Sequence, residues 1–164
     1  MVIDSDSPVP DLPGMSGRHI ARAGADSFHS PKLLRLFTWW QETAQDHAPG
    51  FADFDILQHP MLAPHLFVIA PRDDGYCLRL AGEEYGGLFN LKKGHHWRRQ
   101  SDDIMDRDFS LYLDFVSKQA VPYYSRGHLA LHERDWLHFE SLLCPVAETV
   151  NGPTLLGACA RIGG

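Results

Sequence analysis

The spacing of apolar residues changes along the chain and divides it into helical and extended stretches. After residue 30 the apolar positions recur three to four residues apart, which is the period of an amphipathic helix. Ser30 suits the N-cap and Pro31 the first turn, and Pro49-Gly50 is expected to end the helix. The apolar stripe consists of Leu33, Leu36, Phe37, Trp40 and Ala44, with Trp39 beside it.

From residue 65 the pattern becomes that of strands. An apolar run at 65–70 and an alternating run at 76–82 flank the turn-forming residues 72–75, and together they predict a β-hairpin. Leu78 and Leu80 share the inward face of the second strand with Tyr76. Residues 83–100 hold three more glycines and are expected to form short helical turns and loops.

The second half of the chain predicts one long helix followed by three strands. Ser101 can cap the helix and Pro122 can end it. The buried stripe is assigned to Met105, Phe109, Tyr112 and Val116, with Leu113 and Phe115 flanking it. The strand-like segments are residues 123–131, 137–146 and 154–162, separated by turns at 133–135 and 151–153. Because the turns are short, antiparallel pairing is favoured.

This order of elements predicts an α+β fold. Strands and helices do not alternate singly, which argues against a doubly wound parallel sheet. We expect a five-stranded antiparallel sheet with helices on one face, preceded by the helix at residue 30. Residues 1–29 are rich in Pro, Gly, Ser and Asp and are expected to be a flexible tail, although 20–25 can add local structure that docks on a partner. The domain is assigned to residues 30–164.

Composition indicates a single globular domain and excludes several functions. The chain has 164 residues, of which 44% are hydrophobic and 22% charged. Its net charge of −6 provides no electrostatic footprint for nucleic acid or an anionic membrane, and no apolar run is long enough for a membrane helix. Cys77, Cys144 and Cys159 lie in separate segments, which favours a reducing compartment, and the start of the chain has no secretory pattern. A cytoplasmic location is predicted.

No motif has the spacing of a catalytic or metal site. Adjacent His95 and His96 point in different directions on a helix or a strand, so we interpret them as loop residues, with a ligand or phosphate contact as the alternative. His128, His132 and His138 fall on or between different strands. The Asp-rich start of the long helix lacks the central glycine and terminal glutamate of a calcium loop. No metal site and no catalytic constellation are predicted.

Two charged residues stand out on strands that are otherwise apolar. Arg79 and Glu140 are predicted to lie on the face opposite Tyr76, Leu80 and Phe139. Two interpretations stay open. They are solvated charges of the outer face, or they pair with each other or fix the first helix on that face.

The same stretches carry a family resemblance. The first helix bears Trp39-Trp40, an acidic Asp55-Ile56 follows it, and Leu62-Ala-Pro-His65 leads into the first predicted strand. The strand motifs are Leu78-Arg-Leu-Ala-Gly82, Phe139-Glu-Ser-Leu-Leu-Cys-Pro145 and Leu155-Leu-Gly157. In this order they resemble a PAS domain of the single-domain bacterial type over residues 33–162. Glu83 replaces a small hydroxyl residue, and Ser141 replaces the arginine usual in that family.

The resemblance implies an antiparallel sheet that cups a small cavity, and a non-catalytic function in sensing and signal transduction. The sequence shows no kinase, cyclase or DNA-binding region, so the output is expected to pass to a signalling protein such as a histidine kinase or regulator. The flavin-binding branch carries Asn-Cys-Arg, which this chain lacks. Haem-binding members use a helix histidine, for which His95 or His96 are the candidates. No cofactor is identified.

Two sets of residues are predicted to act in binding. The cavity is assigned to Phe67, Tyr76, Trp97, Tyr112, Phe115, Tyr123, Phe139 and Ser141, because aromatic walls with few polar groups suit a small organic ligand. The interface of a possible homodimer is assigned to Leu33, Leu36, Phe37, Trp39 and Trp40. Ordinary core packing is the alternative for the first set, and helix-on-sheet packing for the second.

Two other functions are weighed against the sensory one. A small cone-shaped α+β enzyme, a hydrolase or isomerase, needs a carboxylate or histidine inside the cavity with a shifted pKa. A structural interaction subunit needs a filled core. A pocket would favour the sensor or the enzyme over the structural subunit. An ionisable group inside that pocket would favour the enzyme over the sensor.

Overall fold

One curved antiparallel sheet organises the protein. The computed structural model describes residues 8–15, 17–132, 135–148 and 152–162, and seven strands lie within these ranges. They are β1 (His19–Arg22), β2 (Leu66–Arg72), β3 (Gly75–Ala81), β4 (His96–Arg98), β5 (Tyr123–His132), β6 (Asp135–Val146) and β7 (Thr154–Arg161). Their order across the sheet is β1-β5-β6-β7-β2-β3-β4, and all neighbours are antiparallel.

Helices cover both faces of this sheet. The three α-helices are α1 (Pro31–Thr43), α2 (Glu83–Phe89) and α3 (Ile104–Gln119). Helices α2 and α3 pack on the inner face, with Tyr85 and Leu113 in its core, whereas α1 packs on the outer face through Leu33 and Leu36. None of the helices in the described ranges is long and apolar enough to cross a membrane.

Helix α1 starts where the sequence predicts and ends earlier. The Ser30 hydroxyl accepts from the Lys32 N–H at 3.2 Å, and Pro31 is the first helical residue. The helix ends at Thr43 and not at Pro49-Gly50. The chain leaves the helix early because the residues that follow are bound to the end of β6. The Ala147 N–H donates to the Pro49 carbonyl at 2.8 Å.

Three of the five predicted interface residues of α1 are buried within the chain. Leu33 and Leu36 are fully buried and Phe37 is 3% exposed, since all three pack against β2, β6 and β7. Trp39 stacks edge-on against Phe54 at 5.0 Å between ring centres. The Trp40 indole N–H donates to the Pro145 carbonyl at 2.8 Å. The apolar surface of the three buried residues is therefore already used on the sheet, and the interface assignment stays a prediction that only the partly exposed Trp39 and Trp40 have surface left to support.

The sheet has two more strands than predicted, one at each edge. β1 pairs with β5, so part of the segment assigned to a flexible tail belongs to the sheet. Met15, in the same segment, is only 6% exposed. β4 pairs with β3 through three residues, in a stretch expected to be loops. Both strands are too short for a visible alternation, and both satisfy backbone groups of an otherwise open edge.

Several predicted features need correction, and others involve residues outside the described ranges. Helix α3 is capped by Asp103, whose carboxylate accepts from two backbone N–H groups, and not by Ser101. Met105 is 59% exposed and does not belong to the buried stripe, and Leu80 is 47% exposed because a bulge shifts the register between Val68 and Ile69. Residues 1–7, 133–134 and 149–151 lie outside the described residues, and both predicted turns involve them.

Glu140 and Arg79 do not pair with each other, and each has its own partners. Glu140 is fully buried and accepts hydrogen bonds from the His29 and Ser30 N–H groups and from the Tyr124 hydroxyl. It therefore fixes the start of α1 on the outer face. Arg79 forms a bidentate pair with Glu148, its shorter bond being 2.8 Å.

A second carboxylate ties α3 to the β3–β4 edge. Asp114 accepts from the Arg99 guanidinium through two bonds of 2.7 Å and from the Tyr76 hydroxyl at 2.7 Å. Burial alone would raise the pKa of the Asp114 carboxyl, but the hydrogen bonds from Arg99 and Tyr76 and the Arg99 charge together lower it below the ordinary 3.8. Burial also raises the pKa of Tyr76 to about 12.

We expect Asp114→Asn to remove part of the acid sensitivity of the fold. A carboxyl with a lowered folded pKa stabilises the protein above its unfolded pKa, and this contribution is lost as the pH falls through the folded pKa. The difference in free energy of unfolding between wild type and Asp114→Asn should therefore shrink as the pH falls below 3.8. Urea denaturation at a series of pH values measures it. Asp102→Asn, at an exposed position, is the control, and equal pH profiles for all three proteins would contradict the prediction.

Candidate ligand-binding cavity

A cavity of about 160 Å³ lies between the inner face of the sheet and the helices that cover it. β2, β5 and β6 form its floor, α2, α3 and β4 form its walls, and the segment before β1 closes one side. The lining residues are Gly14, Met15, Arg18, Phe67, Tyr85, Phe89, Leu91, His95, Trp97, Met105, Asp106, Phe109, Tyr112, Ser125, Ser141 and Leu143. Most of this surface is apolar, and six of the sixteen lining residues are Phe, Tyr or Trp, which suits an organic ligand.

Strand alternation sets the floor. Ser125 of β5 and Ser141 of β6 are directly opposite each other in the sheet, so their side chains project side by side from the inner face. Phe67 of β2 stacks on Tyr85 with 4.1 Å between ring centres and 22° between planes. The Phe67 ring lies over Gly157 of β7, where any Cβ would overlap it. The floor therefore requires glycine at this position.

The walls are rings in mutual contact. Trp97 lies 5.0 Å from Phe109 and 4.8 Å from His95, between ring centres, and Tyr85 lies 5.1 Å from Phe89. Tyr112 is almost fully buried. Burial raises the pKa of the Tyr85 and Tyr112 phenols, so their hydroxyls stay protonated at neutral pH.

The segment before β1 is held against α3. The Gly14 N–H donates to the buried Asp108 carboxylate at 2.6 Å, and a Cβ at Gly14 would lie 2.6 Å from the Ile104 carbonyl oxygen. This close approach places Met15 in the inner core and brings Arg18 into the cavity. A segment that the sequence assigns to a tail thus supplies one side of the site.

Besides the Tyr85 and Tyr112 phenols, three ionisable side chains line the cavity among the described residues. Arg18 lies over the rings of Phe139 and Phe89, with its guanidinium carbon 5.1 and 5.6 Å from the ring centres. Burial lowers the pKa of this guanidinium below its ordinary value. His95 Nε2 and an Asp106 carboxylate oxygen are 3.6 Å apart. The cavity is therefore an apolar site with two separate polar regions.

Half of the predicted cavity residues line it. Phe67, Trp97, Tyr112 and Ser141 do, and Tyr76, Phe115, Tyr123 and Phe139 do not. The Tyr76 hydroxyl bonds to Asp114, and Phe115 and Tyr123 pack on each other with ring centres 5.1 Å apart. Phe139 lies one layer behind the cavity, against Arg18.

The missed residues come from segments without a recognisable period. Arg18 precedes a four-residue strand, and His95 directly precedes β4 rather than lying on a helix. Asp106 belongs to the Asp-rich start of the long helix, for which no site was predicted. His96 pairs with Asp74 at 2.8 Å, away from the cavity lining. The rings of Tyr85 and Phe89, in the stretch expected to form helical turns and loops, were a signal that could have pointed to a cavity wall, but the sequence does not indicate which rings face inward.

Among the described residues, neither a cluster of metal ligands nor a cysteine lines this cavity. In the ranges that the structure describes, no group of three or more His, Cys, Asp or Glu side chains is placed to hold a metal ion. Cys144 and Cys159 are buried, and burial raises the pKa of both thiols. A raised pKa disfavours the thiolate, which is the reactive form.

A curled antiparallel sheet with helices over a cavity with aromatic walls defines an α+β domain. A family model described as PAS domain matches residues 28–160. The chain belongs to the PAS domain family, whose members are typically non-catalytic sensory and regulatory modules. No curated protein is similar enough to be counted as a relative.

Proposed function

We propose that this chain is a non-catalytic sensory module that binds a small organic molecule in its inner cavity and relays the bound state to a signalling protein, such as a histidine kinase or regulator. The observation that carries the proposal is the cavity itself. Its volume of about 160 Å³ is close to that of apolar cavities that bind benzene. A cytoplasmic location stays a prediction from the cysteine content.

A route from the cavity to the outer face supports the relay. On β6, Ser141 lines the cavity, and the preceding residue, Glu140, holds the start of α1 on the other side of the sheet. A ligand that shifts β6 would therefore move the anchor of α1. The shift can be no larger than the difference in ligand affinity between the two arrangements.

A bulky substitution at Ser141 tests ligand binding. Mass spectrometry under native and then denaturing conditions should detect a small molecule that copurifies with the wild-type chain. Ser141→Leu places a branched side chain in the cavity, and we expect ligand occupancy to fall by about tenfold through overpacking. Thr38→Leu, on the exposed face of α1, is the matched control and should retain the molecule. If both variants are folded and retain the small molecule equally, the proposal is contradicted.

An enzymatic function is the second candidate, because the cavity holds a histidine and a carboxylate. His95 and Asp106 are 3.6 Å apart at its edge, which is the kind of pair that can position a base. The strand positions alone indicated no such pair. Hydrolysis of a panel of nitrophenyl esters by the wild type, lost in His95→Asn, would favour this candidate over the sensory one.

A further inference from the structure

Arg18 is the least expected residue of the cavity. Its guanidinium carbon lies 5.1 to 5.9 Å from the ring centres of Phe139, Phe89 and Phe109. Such cation–π contacts offset part of the cost of removing the charge from water. They leave the N–H donors of the guanidinium available to a ligand, because a ring face accepts no strong hydrogen bond.

The guanidinium has no carboxylate partner in the part of the chain that the structure describes. No Asp or Glu oxygen lies within 4.0 Å of it, and it makes no hydrogen bond among these residues. Other arginines of this protein are paired: Arg79 with Glu148, Arg99 with Asp114 and Arg161 with Glu84. Arg18 is only partly exposed, and a cation that is partly removed from water is stabilised by a counter-ion. Among the described residues, no carboxylate serves as the counter-ion of Arg18 in this cavity.

The floor beside Arg18 offers further donors. Ser125 and Ser141 are cross-strand neighbours that line the same cavity, and neither hydroxyl bonds to another described side chain. A hydroxyl can donate to an oxyanion, and a guanidinium can bind a carboxylate through two parallel bonds. The negative charge of Asp106 is at the other polar region, beside His95.

Building on the sensory function above, we propose that the cavity binds a small organic carboxylate, with its acid group on Arg18 and its apolar body between the aromatic walls. Phe67, Tyr85 and Trp97 supply flat apolar surfaces for the body. The volume of about 160 Å³ limits that body to roughly one ring or a short alkyl chain. Arg18 is then the residue that selects an anion over a neutral molecule of the same shape.

Paired probes test this charge selection in the full chain. Benzoate and benzamide have nearly the same shape, as do hexanoate and hexanamide, and only one member of each pair is an anion. Isothermal titration calorimetry at neutral pH should show the carboxylate binding about ten- to hundredfold more tightly than its amide, the range for a hydrogen-bonded charged group. Acetate, which has the acid group without the body, should bind more weakly than benzoate.

Variants of Arg18 assign the selection to this residue. Arg18→Met keeps a long apolar stem and should bring the carboxylate-to-amide ratio to about one, while Arg18→Lys keeps the charge and should retain part of the preference. Arg22→Met, at an exposed position of β1, is the control and should leave the ratio unchanged. If Arg18→Met does not fold, the carboxylate-to-amide affinity ratios of the wild type and of Arg18→Lys still test the proposal. A ratio near one in the wild type, or an equal ratio in the two proteins, contradicts it.

The outcomes separate this inference from the sensory function. Equal binding of carboxylates and amides to the wild type, or an unchanged ratio in Arg18→Met, overturns the role of Arg18 and leaves ligand binding intact. Failure of every carboxylate and every amide to bind contradicts both proposals.

Discussion

Replacing Glu140 with alanine should lower the free energy of unfolding by about 3–5 kcal/mol, a cost typical of disrupting a buried polar network. The side chain is fully buried and accepts from three donors, the His29 and Ser30 N–H groups and the Tyr124 hydroxyl. Without the carboxyl group, all three donors lose their partner, and the Tyr124 hydroxyl loses it in the buried interior. The two backbone donors belong to the start of α1, so the helix should also loosen from the sheet.

Urea denaturation of Glu140→Ala and a matched control measures this effect. Glu42→Ala removes an exposed glutamate of α1 and should change the free energy of unfolding by less than about 0.5 kcal/mol. Hydrogen exchange adds a second readout, because the amides of His29 and Ser30 should lose protection in Glu140→Ala. Equal stability of the two variants would show that Glu140 does not anchor α1.

Replacing Gly157 with alanine should cost about 1–3 kcal/mol, the usual range for overpacking a core. The new Cβ would overlap the Phe67 ring and lie 2.8 Å from the Leu142 carbonyl oxygen. Because the sheet cannot yield easily, we expect the Phe67 ring to move off Gly157 and into the space that it borders. The variant should therefore lose both stability and cavity volume.

A glycine in open space provides the control for this prediction. Gly87 lies in α2, and no atom would lie within 4 Å of a Cβ there. Gly87→Ala should leave stability unchanged or raise it by about 0.5–1 kcal/mol, since alanine favours helices. Thermal denaturation compares the two, and a loss of similar size in both would refute the packing argument at Gly157.

The elements with a clear hydrophobic period could be predicted from the sequence. The first helix is capped at Ser30-Pro31, and the strands around residues 66–81 follow the predicted hairpin. Edge strands β1 and β4 could not be predicted, because four and three residues are too few to show an alternation. They form because the sheet offers unpaired backbone groups at its edges, which depends on the tertiary structure.

The cavity was only half predictable for a related reason. The aromatic side chain of Phe67 marked it as a cavity wall, and alternation along β6 placed Ser141 on the same face as Phe139, because strands place every second residue on one face. Arg18 and Asp106 enter from a turn and a helix end, where no period indicates direction. Tyr76 lies on the inner face of β3, but its hydroxyl donates to Asp114 and the side chain does not line the cavity. The sequence alone could not reveal this hydrogen bond.

The most direct measurement of the central claim is an NMR titration of the ¹⁵N-labelled chain with benzoate and with benzamide. The account predicts that at least one of them shifts the backbone amides of cavity residues such as Tyr85, Ser125 and Ser141, and leaves the amide of the exposed Leu57, which belongs neither to the cavity nor to α1, unchanged. Shifts confined to residues outside the cavity, or none with either compound, would contradict ligand binding at this site.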